Sequence, residues 1–139
     1  MTDAMAQEKK TASEWFRTLR DEIVTAFEAL EDSQTTGPFA DRTAGRFEVT
    51  PTKRASEDGS DTGGGLMSVM RGGRVFEKVG VNISTVYGQL GAAAQRSMSA
   101  RPGLEGLADD PRFWASGISL VAHMNSPKTP AVHMNTRMF

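Results

Sequence analysis

The chain has 139 residues, a size that fits one domain with its own core, and a formal net charge of −1 gives no basic field to draw nucleic acid. It contains no cysteine, which excludes disulfides, thiolate catalysis and cysteine-ligated metal centres. No window approaches a membrane span and the polar MTDAMAQEKK start has no apolar signal core, so a cytoplasmic protein is expected.

In chain order, residues 1–10 read as disordered. Thr11 with Glu14 three residues on has the form of a capping box. Trp15, Phe16, Leu19, Ile23, Phe27 and Leu30 then recur at helical spacing, with Arg17, Arg20, Asp21, Glu22 and Glu28 between them. This pattern predicts an amphipathic helix over 12–32 whose apolar stripe packs on a core or a sheet.

The composition then turns to Ser, Thr, Gly, Asp and Pro, and 33–65 reads as a mobile connection. Within it, Phe47–Thr50 is a candidate short strand ending at Pro51, while Lys53–Gly65 has almost no apolar residue. The triple glycine Gly63–Gly65 lacks the Lys-Ser/Thr pair and the preceding strand of a phosphate loop, and is not read as one.

From residue 66 to 139 a sheet region is expected. Leu66–Met70 reads as a strand, Gly72–Gly73 as a two-residue turn, and the segment from Arg74 as the partner strand. Val75, Val79, Val81 and Ile83 alternate with Lys78, Asn82 and Ser84, the pattern of a long antiparallel strand covered on one side. Asn82–Ile83–Ser84 also matches a glycosylation sequon, which has no meaning without secretion. Gln89–Met98 reads as a loop or short helix and Arg101–Pro111 as a surface connection.

The stretch Phe113–Phe139 carries both histidines. Ile118, Leu120 and Ala122 alternate with Ser119, Val121 and His123. After a loop over Met124–Pro130, Val132, Met134, Thr136 and Met138 alternate with His133, Asn135, Arg137 and Phe139. An antiparallel hairpin with this loop sets residue 119 beside 135 and 123 beside 131. Ser119, His123, His133, Asn135 and Arg137 then share one face: a hydroxyl, two imidazoles, an amide and a fixed positive charge. Arginine matches a carboxylate with two parallel donors, and histidine serves as general acid or base. Each of these residues taken singly is more often a polar residue of an ordinary half-solvated sheet, and only their alternation together shifts the balance toward a site. Two histidines with no nearby carboxylate make an incomplete metal site.

SGISLVAH followed by TPAVHMNTRMF resembles the signature of oxygen-dependent coproporphyrinogen III oxidases, and GGRVFEKVGVNISTVYG (Gly72–Gly88) with Gly63–Gly65 resembles the segment before it. The resemblance covers roughly Gly63 to Phe139 and extends weakly to Trp15–Leu30. It implies an α+β fold, an antiparallel β-sheet flanked by helices. The implied reaction converts two propionates of coproporphyrinogen III to vinyls in haem biosynthesis, giving protoporphyrinogen IX. Molecular oxygen is the implied co-substrate, and carbon dioxide and hydrogen peroxide leave. The implied roles are proton transfer for His133 and substrate contact for Ser119, Asn135, Thr136 and Arg137. A position matching His123 is sometimes given to a divalent metal, and a homodimer is implied. Met124 stands where the family has proline, and Asn125–Ser126–Pro127 replaces its Asn-Pro.

The chain stops on an apolar residue inside a strand pattern, and is therefore expected to be the N-terminal part of a longer enzyme, inactive by itself. Two other readings compete. One is a non-catalytic binding module for an anionic tetrapyrrole or another polycarboxylate, and the other a hairpin face serving as a subunit contact.

Overall fold

The computed structural model describes residues 4–139. A long helix, α1 (Ala6–Ser33), is followed by strands β1 (Glu48–Ala55), β2 (Asp61–Arg71) and β3 (Phe76–Gln89). A short helix α2 (Ala92–Ser99) and a single 3₁₀ turn (Glu105–Ala108) then lead to β4 (Arg112–Met124) and β5 (Val132–Met138). The strands form one antiparallel sheet in the order β1-β2-β3-β4-β5, so every strand pairs with its neighbour in sequence. The expected α+β arrangement is what the chain adopts.

The alternation along β3 decides which side of the sheet is covered. Val79 and Val81 are fully buried, and Ile83 nearly so, against Ile118, Leu120 and Ala122 of β4. Helix α1 lies over this side through Phe16, Leu19, Ile23, Val24 and Phe27, and the Phe27 ring stacks on Phe76 at 4.8 Å between centroids. Burial of such side chains contributes about 1.5–3 kcal/mol each. The opposite side of the sheet has no helix over it among the described elements.

The helix starts earlier than its sequence reading and ends where expected to within one residue. Residues 6–10 are helical, extending the first turn through a Gln7–Thr11 hydrogen bond and a Lys10–Glu14 ion pair, while residues 1–3 lie outside the described residues. Thr11 is therefore interior and no capping box forms; Met5 is the N-cap and makes no side-chain cap. Trp15 and Leu30 of the predicted stripe stand half out in solvent, because the sheet-facing line runs through Arg20 and Glu31 instead. Glu31 is fully buried. It accepts the backbone N–H groups of Gly45 (2.7 Å), Arg74 (2.6 Å), Val75 (2.7 Å) and Phe76 (3.0 Å). Burial by itself would raise its pKa, but the four hydrogen bonds outweigh it and the carboxyl is held below the usual carboxylate value.

The segment read as mobile, 33–65, is largely structured. β1 runs straight through Pro51, which is tolerated because β1 is an edge strand and the missing N–H breaks no ladder. β1 and β2 form a hairpin closed around Asp58 and Gly59, with Ser56 N–H donating to Ser60 O at 3.0 Å and Gly59 at φ 84°. Composition failed here because this ladder is made of backbone pairing, not of apolar burial: every residue of β1 is exposed. The Gly63–Gly65 run is part of β2. A Cβ at Gly65 would collide with the Ile83 carbonyl oxygen, and one at Gly64 with that of Thr52, so glycine lets the three strands close together. The turn between β2 and β3 is also wider than two residues, spanning 72–75.

Candidate functional site

The uncovered side of the sheet is built from rows of residues that face one another across the ladders. One row reads Thr52, Gly65, Ser84, Gly117 and Arg137 from β1 to β5. The next reads Thr50, Met67, Asn82, Ser119 and Asn135, and the third Glu48, Val69, Gly80, Val121 and His133. Beyond it Arg71, Lys78 and His123 continue the face along β2 to β4. Directly opposed residues project to the same side, about 4.5–5.5 Å apart.

The hairpin register is the one the alternation predicts: Ser119 pairs with Asn135 and Val121 with His133. Ser119, His123, His133, Asn135 and Arg137 are thus brought onto a single face. Ser119 is half-buried and the other four are exposed. Thr136 is not brought there. It pairs with Ile118 and shares the other side of β5 with Val132, Met134 and Met138, so its side chain faces away from the His133 row. His123 and His133 are diagonal neighbours, each one row off direct pairing, since His133 opposes Val121.

Small residues keep this face low. Gly117 leaves the floor without a side chain beside Arg137, and Gly80 does the same on β3, one strand beyond Val121. A Cβ at Gly117 would come within 2.5 Å of the Thr136 carbonyl oxygen and 3.3 Å of the Cα and Cβ of Arg137, so glycine is what lets β4 and β5 close at this row. Around the rim, Arg71, Lys78 and Arg137 outweigh Glu48, which suits an anionic ligand. The loop 125–131 is tied down at its start, where Asn125 N–H donates to Val75 O and its amide to Gly73 O, both at 2.8 Å. That pins the end of β4 to the same turn that Glu31 holds.

No group of three or more His, Cys, Asp or Glu side chains that could hold a metal ion occurs among the described residues. Nor is any described helix long and apolar enough to cross a membrane. A separate cleft of about 460 Å³ opens between the first turns of α1 and the glycine run, where Tyr87 Oη donates to Asp61 at 2.6 Å. It lies toward the helix side and away from His133.

The chain is 44% identical over 135 residues to an oxygen-dependent coproporphyrinogen-III oxidase of Rickettsia felis, covering 94% of this chain and 42% of that protein. It is 43% identical over 131 residues to the enzyme of the same description from Rickettsia bellii, covering 93% and 41%. It thus spans about two fifths of the length of these curated relatives. A family model described as coproporphyrinogen III oxidase matches residues 11–139. The chain belongs to the coproporphyrinogen III oxidase family.

Proposed function

We propose that the uncovered face holds a propionate-bearing tetrapyrrole for oxygen-dependent oxidative decarboxylation, with coproporphyrinogen III as substrate and protoporphyrinogen IX as product. The observation that carries this reading is the β4–β5 register, which sets Ser119, His133, Asn135 and Arg137 on one open face. For each propionate, the carboxyl leaves as carbon dioxide, the side chain loses two hydrogens to become a vinyl, and oxygen is reduced to hydrogen peroxide. Arg137 pairs a propionate with two parallel donors, while Ser119 and Asn135 supply a hydroxyl and an amide to fix its position. The backbone of Thr136 runs between the two, and its side chain takes no part. His133 moves the proton that the carbon chain gives up.

His123 and His133 would offer two imidazoles to a divalent metal, one short of the three protein ligands a catalytic zinc takes. A homodimer, implied by the family, and a cytoplasmic location belong to the same proposal.

His133→Ala and His123→Ala, made in the protein that carries this chain, test the assignment. General acid–base groups contribute about 10²–10⁴-fold, so His133→Ala is expected to lower kcat by that order while substrate still binds. A larger loss in His123→Ala reverses the ranking. Wild-type protein that binds the tetrapyrrole without turning it over favours the binding-module reading instead.

A further inference from the structure

The same row that holds Ser119 and Asn135 contains a third polar side chain, Asn82, directly opposite Ser119 on β3. Its amide is oriented by chemistry: Oδ1 accepts the Ser68 backbone N–H at 3.3 Å, and only the oxygen end can do so. The NH₂ end is thereby turned away from Ser68. Its Nδ2 lies 3.9 Å from where a Cβ on Gly80 would sit, over the bare backbone in the floor of the face. Asn82 is exposed, and its Nδ2 meets no described acceptor. An amide with one end held by the sheet and two N–H donors left over a glycine floor is built to donate outward. An acceptor-rich ligand group, a carboxylate, is what such donors recognise.

We propose that Asn82 is a further substrate-contacting residue, donating its amide N–H to the same propionate carboxylate that Ser119 and Asn135 position. The inference rests on the tetrapyrrole reading above and extends the binding row from two strands to three. β3 then helps to place the substrate as well as to support the core through Val79, Val81 and Ile83. Lys78, one row beyond Gly80 on the same strand, adds positive charge on that side.

The test measures binding of the stable porphyrin corresponding to coproporphyrinogen III, and KM for the substrate, in the protein that carries this chain. Asn82→Ala removes the donor, and about a tenfold rise in Kd and KM is expected with kcat changed less. Asn82→Asp keeps an oxygen for the Ser68 N–H, so the strand stays intact, but sets a negative charge against the propionate. It is expected to weaken binding more than alanine does, with an unchanged melting temperature. Esterifying the porphyrin carboxylates should erase the difference between the two variants. Kd and KM within twofold of wild type in both variants overturn the role of Asn82, as does an alanine effect that exceeds the aspartate effect. A wild type that binds no propionate-bearing porphyrin overturns the tetrapyrrole reading, and this inference with it.

Discussion

Arg137 is the residue on which the anionic character of the ligand depends most directly. It sits at the end of the Thr52–Gly117 row, directly opposite a glycine. In the proposed complex it forms a two-pronged, charge-assisted pair with a propionate. Losing such a pair costs about 10- to 100-fold in kcat/KM, and Arg137→Ala should show it in steady-state kinetics. Arg137→Lys should recover only part, because a lysine presents a point charge in place of a fork. Less than a threefold change in the alanine variant removes Arg137 from the site. The placement of this residue was readable in advance. His133, Asn135 and Arg137 alternate on β5, and the loop length set the register against Ser119. Asn82 also fell on the exposed side of its strand by alternation. Its link to Ser119 was not readable, because that depends on how β3 pairs with β4 across the intervening α2 and 3₁₀ segment.

At the scale of elements, the contact that ties the end of α1 to the turn before β3 is the one the sequence concealed. Glu31 looks like a solvent-facing acid at the end of an amphipathic helix, and helical periodicity alone gives no reason to bury it. Its partners are backbone N–H groups on two loops distant in the chain, around Gly45 and over 74–76, and backbone donors leave no mark in a sequence. The glycines at 45 and 73 are the only hint. A Cβ at either would press against the Glu31 carboxylate, and glycine is what lets the backbone come that close. The β1–β2 hairpin was hidden for a related reason: it is held by ladder hydrogen bonds in a strand that buries nothing. Glu31→Gln should therefore destabilise the protein by about 2–3 kcal/mol at neutral pH, since an amide offers one acceptor oxygen where a carboxylate offers two. The pH dependence has a definite sign. Because the folded-state pKa lies below the ordinary value of 4.5, the carboxylate's contribution is present above that pH. It is lost as pH falls through the lowered folded value. Denaturant melts at neutral and acidic pH should show the gap between wild type and Glu31→Gln narrowing in acid, and a constant gap would contradict this account.

The whole molecule is a sheet with one side packed and one side bare. Helix α1 covers the Val79–Ile118 side, while Met67 and Val121 stand exposed on the other, and the two outer strands, β1 and β5, each leave an unpaired edge. Unpaired edges and a bare face invite pairing with another chain. The 139-residue chain is accordingly expected to self-associate. Sedimentation that finds a stable monomer with a cooperative melt would overturn this expectation. The strand order has a further consequence, for how the molecule assembles in time. Because each strand pairs with the one before it, the β1–β2, β2–β3 and β4–β5 ladders each close across a short turn. Only β3–β4 must wait for the chain between Leu90 and Pro111 to loop round, its base marked by the Leu90 N–H to Pro111 O bond of 2.9 Å. Closing a loop costs entropy that grows only with the logarithm of its length, about 0.6 kcal/mol for each doubling. The two halves of the uncovered face, Asn82 on one hairpin and Ser119 with His133 on the other, can therefore form separately and early. The Asn82–Ser119–Asn135 row is completed when that last junction zips, so the tempo of folding is set in the connection between Leu90 and Pro111.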